Sequence, residues 1–316
     1  MLPAINDATI AEIGMIGSRS PAKAAEYARE FGCDSYGTYN DVLSNDNIDA
    51  VYISLPVGLH EEWVIKSAEA GKHILCEKSS TNSLTSAMRM VAACQRNKVR
   101  ILEGFMFQYH PQHRKVISLI EEGLLGNLLM FHGHLGFPFP DDNDIRLKKE
   151  LGGGILNDAA CYPIYASRML FKEEPLDVVC RLKTDARFSV DVKADVFLYY
   201  SNGKTAFISS AFGAYFQSTY SLWGSRANLT VKRAYAVPKD RKTSIVIDAE
   251  DKISEISIEP ADHFRLMLDN FCREIFRRQA DRNSFELDLL NQARVLEAAR
   301  ISNQEERVVK LSHLPL

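Results

Sequence analysis

AGKHILCEKSS, residues 70–80, holds a short apolar run of His73, Ile74, Leu75 and Cys76 entered from a helix that Gly71 ends. Such runs are typical of central strands in a parallel sheet. Glu77 and Lys78 then fall at the strand's carboxyl end, the edge at which open α/β sheets bind ligands. A solvated charge pair and a lysine placed for chemistry both fit that position.

Working outward, residues 48–55 (IDAVYISL) read as the preceding strand and 60–70 as the helix between the two. Further upstream, 40–44 reads as a short helix, 9–17 as a strand and 1–7 as the later part of a helix. Ser20 is an N-cap with Pro21 at the first helical position, and Ala24, Tyr27, Ala28 and Phe31 share one helical face before Gly32. Downstream come a helix at 84–95 and a strand at 99–103. Strand and helix alternate throughout, which predicts a doubly wound parallel sheet.

The pattern changes near Pro111. A helix to Gly123, a strand at 128–137 and the loop PFPDDND (138–144) lead through Gly152–Gly154 to a helix at 155–170. Long alternating runs follow. Val190, Val192, Ala194, Val196, Leu198 and Tyr200 alternate with Asp191, Lys193 and Asp195, and Ser201-Asn202-Gly203-Lys204 signals a hairpin into 205–212. Strands at 215–223, 227–233, 244–248 and 253–258 and helices at 261–278 and 286–302 complete an α+β domain with an open, mostly antiparallel sheet. The division expected is 1–108 and 109–316, with the last helices packing back on the first domain. Phe197, Tyr199, Phe207 and Phe212 are read as one aromatic sheet face, which must be covered by the protein's own helices or by another subunit; of the two, a homo-oligomer through that sheet is expected.

Composition narrows the class. Hydrophobic residues make up 46%, charged residues 25% and the formal net charge is −3, the balance of an ordinary globular protein without a basic stripe for nucleic acid. The six cysteines form no CxxC pair and read as reduced core residues of a cytoplasmic protein. No run reaches the ~18 apolar residues of a membrane span, so no membrane partner is expected. Metal ligation is not expected either. His132 with His134, and His110 with His113, have no third ligand in view, and Asp141, Asp142 and Asp144 form a turn without the spacing of a calcium loop.

Four stretches resemble the Gfo/Idh/MocA oxidoreductases: IGSRSPAKAAEYAREFG (16–32), DAVYISLPVGLHEEWVIKSAEAGKHILCEKS (49–79), EGFMFQYHPQ (103–112) and GGGILNDAACYPIYASRML (152–170). The last two are most similar to the sugar-oxidising and dihydrodiol-dehydrogenase branch, and WGSRANLTVKRAYAVPKD (223–240) is similar to nucleotide-sugar ketoreductases. The resemblance implies a Rossmann domain followed by the large-sheet domain. It implies an NAD(P)-dependent oxidoreductase acting on a secondary alcohol or ketone of a sugar, nucleotide sugar or cyclic diol. It also implies a catalytic Lys78, because a fixed ammonium stabilises charge developing on the reacting oxygen. Tyr162 is then the proton-transferring hydroxyl, with the Lys78 cation expected to favour its phenolate. Asp158, four residues earlier on the same expected helix, shares its face. On the residues alone, Tyr162 also fits a core tyrosine and Asp158 a carboxylate at a helix start.

Ser18 and Arg19 follow the strand whose end reads the cofactor ribose. Arginine there suits the 2′-phosphate of NADP, with NAD the alternative. Leu55, Pro56, His60, Glu77 and Glu103 hold positions that in the family line the cofactor cleft. Three features depart from the family pattern. The strand and glycine-rich phosphate loop expected before residue 1, about 15–25 residues, have no counterpart, which predicts weak NADP(H) binding by the chain as written. Ser79 replaces the proline usual after the lysine, and Val57 and Gln108 replace a common asparagine and arginine. The missing loop leaves a non-catalytic dinucleotide-binding relative, or an inactive truncated form, as the alternative reading.

Overall fold

The computed structural model describes residues 1–250, 252–276 and 284–315. Its first half runs α1 (Leu2–Asn6), β1 (Ile16–Gly17), α2 (Pro21–Glu30), β2 (Tyr36–Gly37), α3 (Tyr39–Ser44), β3 (Ala50–Ile53), α4 (His60–Glu69), β4 (His73–Cys76), α5 (Leu84–Arg96) and β5 (Ile101–Glu103). Local chemistry sets the boundaries. Ser20 caps α2 by accepting from the Lys23 amide at 3.4 Å, Thr38 and Asp41 form a capping box on α3, and Ser83 accepts from the Ser86 amide at 3.2 Å on α5. Gly71, at φ +73°, lets the chain leave α4 and turn into β4. On α2 the buried face is Ala24 and Ala28. Tyr27 instead lies out on the surface against Phe31, ring centroids 6.3 Å apart.

The parallel strands form two separate pieces, β1–β2 and β3–β4–β5. The strand expected over 9–17 shrinks to Ile16–Gly17 because only that dipeptide has a ladder partner, Tyr36–Gly37. The residues just before it are held by side chains. The Asn45 amide reaches the Met15 sulfur at 3.7 Å, and a Cβ on Gly14 would lie 2.7 Å from Ile48 Cδ1.

The second half runs α6 (Pro111–Glu121), β6 (Leu128–Phe137), a π-helical turn over Leu156–Ala160, α7 (Cys161–Phe171), β7 (Asp177–Thr184), β8 (Asp191–Tyr199), β9 (Thr205–Phe212), β10 (Gln217–Gly224), β11 (Ala227–Lys232), β12 (Thr243–Ala249), β13 (Lys252–Ile258), α8 (His263–Ile275), α9 (Ser284–Glu305) and β14 (Val309–Lys310). The last residues of the helix expected at 261–278 lie outside the described residues. The strands make one sheet in the order β13-β12-β11-β10-β6-β9-β8-β7-β14, antiparallel except for the parallel pair β6–β9. Strands β7 and β14 are not among those expected from the sequence.

Helices α6, α7 and α9 cover one face of this sheet, where Phe131, Leu135, Val196, Ile208, Leu222 and Leu229 are buried. The other face is open. It aligns Trp223, Met130, Thr205 and Tyr199 in one cross-strand row and Ser221, His132, Phe207 and Phe197 in the next. Phe212 is not part of it. Five residues from Phe207, an odd step in a period of two, it points to the covered face and is buried. Helix α9 packs on both sheets, against β7 and against β5 and α5. Its Glu286 carboxylate clasps the Arg100 guanidinium at 2.7 and 3.1 Å in the interior. No helix among the described residues is long and apolar enough to cross a membrane.

Candidate active site

The carboxyl ends of β3, β4 and β5 lie side by side, and the chain leaves them as Leu55–Pro56, Glu77–Lys78 and Glu103–Gly104. The ladder continues one bond further at each step: the Glu77 amide donates to the Ile53 carbonyl at 2.9 Å and the Gly104 amide to Cys76 at 2.7 Å. Lys78 is thereby held rigidly at the edge. Its Nζ donates to the Asp158 carbonyl at 2.7 Å and lies 3.1 Å from Asp158 Oδ1. It also sits 4.9 Å from the centroid of the Tyr162 ring. The Lys78–Ser79 peptide is cis. Asp158 and Tyr162 do not share one α-helix as expected. Asp158 lies in the π-helical turn and Tyr162 in the first turn of α7, a local widening that recurs at functional sites.

Burial works against the Lys78 charge, but the Asp158 carboxylate more than offsets it, so the ammonium persists beyond the usual lysine range. Tyr162 goes the other way from the expectation. Burial pushes its pKa up, and Lys78 only partly counters that while Glu77 adds to it, so the group stays a phenol. Its hydroxyl faces the Met106 sulfur at 3.7 Å. Glu77 accepts from the Tyr52 hydroxyl at 2.5 Å and from the Lys78 amide at 3.3 Å.

His60 and Glu103, expected to line the cleft, are buried and grip the loop behind Lys78. Glu103 Oε1 accepts from the Ser80 amide at 2.7 Å, while Oε2 has no hydrogen-bond partner among the described residues. Desolvation pushes this carboxyl up to about 7. The His60 ring lies between the Ser80 carbonyl (Nδ1, 3.2 Å) and the Leu55 carbonyl (Nε2, 2.6 Å), and burial lowers its pKa. Ser79 Oγ donates to the Asn157 carbonyl at 3.0 Å. The turn after Pro56 closes over the Gly152 backbone, where a Cβ would lie 2.9 Å from Val57 Cβ.

Ser18 and Arg19 stand apart from this cluster, at the end of the β1–β2 piece. Ser18 Oγ accepts from the Ser20 amide at 3.2 Å, so it braces the start of α2, and Arg19 is exposed. With serines on both sides and no carboxylate adjacent in sequence, the Arg19 guanidinium is the donor type suited to a 2′-phosphate. Arg146 is not among the residues to which the sequence points. Asp144 holds it at 2.9 and 2.7 Å, its guanidinium lies 5.3 Å from the Phe137 ring centroid, and its Nη1 is 4.0 Å from Asp158 Oδ2. The acidic loop masked it, because Asp144 reads as turn chemistry until its partner two residues on is seen.

Two family models match: "Oxidoreductase family, NAD-binding Rossmann fold" over residues 1–105 and "GFO/IDH/MocA C-terminal domain" over 113–230. The chain is 36% identical over 276 residues to a dTDP-3,4-didehydro-2,6-dideoxy-alpha-D-glucose 3-reductase of Saccharopolyspora spinosa, covering 87% of this chain and 83% of that one. It is 32% identical over 278 residues to a D-xylose 1-dehydrogenase (NADP(+)) of Haloferax volcanii, covering 87% and 84%. Among solved structures, a 3-ketoreductase from Actinomadura kijaniata in complex with NADP and TDP-benzene superposes with a TM-score of 0.89 at 29% identity, covering 95% of this chain and 92% of that one. The same ketoreductase has been solved as a tyrosine-to-phenylalanine variant and as a lysine-to-alanine variant.

Proposed function

We propose, because the chain belongs to the Gfo/Idh/MocA oxidoreductase family, that its chemistry is carried by Lys78, Asp158 and Tyr162. The chain is an NADP-dependent oxidoreductase of CH–OH groups, and its substrate is the secondary alcohol or ketone of a sugar or nucleotide sugar. When bound, NADP(H) supplies hydride transfer to or from the carbinol carbon. Arg19 holds its 2′-phosphate, and Leu55, Pro56 and Glu77 line its groove. Lys78 carries the fixed positive charge that stabilises the substrate oxygen as it becomes anionic. Asp158 keeps that ammonium in place. Tyr162, kept protonated by its buried position, gives its phenolic proton to the carbonyl oxygen in the reducing direction and must take one back in the oxidising direction. The types of residue replaced in the related ketoreductase, a lysine and a tyrosine, support this assignment.

The observation that carries the reading is the Lys78 ammonium pinned between the Asp158 carboxylate and the Tyr162 ring at a parallel strand end. Lys78→Met and Tyr162→Phe should each lower kcat by about 10²–10⁴-fold, with NADPH affinity held within a few-fold, since both act in the transition state. The assays are D-xylose with NADP⁺ and a dTDP-linked 3-keto sugar with NADPH. Parental turnover in Tyr162→Phe would assign the proton to another group, and a parent that binds NADPH yet turns over neither substrate would favour the non-catalytic relative.

The open face of the nine-stranded sheet supports a homo-oligomer. Trp223 is 57% exposed, Tyr199 43% and Phe207 37%, three large side chains on one flat surface. Trp223→Glu should shift sedimentation toward the monomer, and a parent already monomeric at micromolar concentration would rule the interface out. Six buried free cysteines suit a reducing compartment, the cytoplasm.

A further inference from the structure

The alternation of β8 makes Asp191 look like a solvent-facing residue, but its carboxylate turns onto the chain segment that carries Asp158. Asp191 Oδ2 accepts from the Leu156 amide at 2.6 Å. Room for it exists only because residue 154 is glycine, at φ +120°, since a Cβ there would lie 2.2 Å from Asp191 Oδ1. The same glycine's carbonyl accepts from the Asp158 amide at 3.0 Å, so the carboxylate, Gly154, Leu156 and Asp158 are locked within one turn. Asn157 is gripped from other directions. Its side chain donates to the Gly152 carbonyl at 3.1 Å and accepts from Arg300 of α9 at 2.6 Å, and its carbonyl accepts from Ser79, the residue after Lys78. Arg300 is in turn held by Glu297 at 3.1 Å.

We infer that Asp191 is a positioning residue: by capping the π-helical turn at Leu156 it sets the carbonyl and carboxylate of Asp158 that hold the Lys78 ammonium. The role in turnover rests on the catalytic reading above, but the coupling of Asp191 to Lys78 is a property of the chain alone and is tested without substrate. An α-helical start would leave Leu156 N–H without an intrahelical acceptor. A carboxylate anchored on a rigid strand supplies one and ties the turn to the large sheet, while Arg300 and Ser79 tie it to α9 and to the strand-end loop. The reactive lysine is thus referenced to both halves of the molecule through one turn.

The test compares Asp191→Ala, Asp191→Asn and Gly154→Ala by residue-resolved acetylation with acetic anhydride at pH 9 and by amide hydrogen exchange over residues 154–162. Losing the Asp158 hold lowers the Lys78 pKa and exposes its amine, so its acetylation rate should rise by about tenfold for each unit of pKa lost, with other lysines unchanged. Asp191→Asn keeps an oxygen on the Leu156 amide and should stay near the parent. Gly154→Ala should mimic Asp191→Ala, and the pair should be non-additive. Asp191→Ser, which opens a smaller hole, carries the same expectation if the alanine variant fails to fold. Where the parent turns over, kcat should fall by about 10–100-fold in Asp191→Ala with the KM for NADPH unchanged. A folded Asp191→Ala or Asp191→Ser with parental Lys78 reactivity, or with all lysines equally more reactive, would overturn the proposal. An enzyme inactive from the start would leave this result standing and remove only the catalytic reading.

Discussion

The five parallel strands are two to four residues long and lie in two pieces, whereas most strands of the nine-stranded sheet run six to ten residues in one continuous ladder. The short strands serve mainly to end together, because what matters lies at or just past the ends of four of them: Arg19 beyond β1, Leu55 beyond β3, Lys78 beyond β4 and Glu103 at the end of β5. The long ones form a platform whose covered face holds α7 and the turn that meets Lys78. One half therefore presents chemistry with little ladder of its own, and the other has ladder to spare and presents shape. The difference also shows in how the first half is secured. Its β5 is clasped by Glu286, from a helix near the other end of the chain.

The strongest way to break that contrast is Glu286→Ala. Arg100 and Glu286 are only 4% and 8% exposed, so removing the carboxylate strands a buried guanidinium and should cost about 3–5 kcal/mol. Hydrogen exchange should quicken in β3, β4 and β5 before it does in β10, β11 and β12. Simultaneous loss in both would show that the two halves fold as one unit.

A second effect follows from titration, and it has opposite signs for the buried carboxyl Glu103 and for two buried histidines beside the large sheet. Glu103 is raised from 4.5 to about 7 by burial, so it keeps its proton longer in the folded state. Its contribution is complete below about 4.5 and is lost as pH rises through about 7. Around the large sheet, burial lowers His113 to about 3 and His263 to about 4. Their contribution is present above 6.5 and is lost as pH falls toward those values. Glu103→Gln should therefore flatten the decline in melting temperature between pH 5 and about 7.5 and leave the acid limb in place. A parent whose melting temperature does not decline across that range would contradict the buried carboxyl.

The smallest expected effect concerns the detached β1–β2 piece. Arg19→Asp should reverse a preference for NADPH over NADH by roughly 10–100-fold in Kd, a matter of about 1.4–2.8 kcal/mol. Equal affinities of the parent for the two nucleotides, measured by fluorescence titration, would detach Arg19 from the cofactor.

Legibility in the sequence tracked how local each cause was. Helix α4, its glycine stop and β4 follow from a contiguous pattern, and β6 begins and ends where its own residues say. Residues 9–15 are as apolar as a strand, yet a strand needs a neighbour, and only Ile16–Gly17 has one. Phe212 was misplaced by grouping aromatics by type when parity along the strand assigns the face. At the site, a family resemblance named Lys78, Asp158 and Tyr162, but it carried no information on the π-helical turn between the last two. Nor did it show that His60 and Glu103 grip Ser80. The phenolate expected of Tyr162 failed because a neighbouring cation is visible in sequence and desolvation is not. Asp191 was hidden by its own strand's alternation, and the one clue was a glycine far upstream with no evident turn to make.

The parallel pairing of β6 with β9 also has a consequence for biosynthesis. β6 leaves the ribosome first among the strands of its sheet, yet its two neighbours, β9 and β10, are encoded dozens of residues later. Until both arrive, its amides and carbonyls have neither of their native ladders. Such non-local closure is slow and leaves an apolar edge open to other nascent chains, so chaperone demand in this protein should peak while β6 waits for β9.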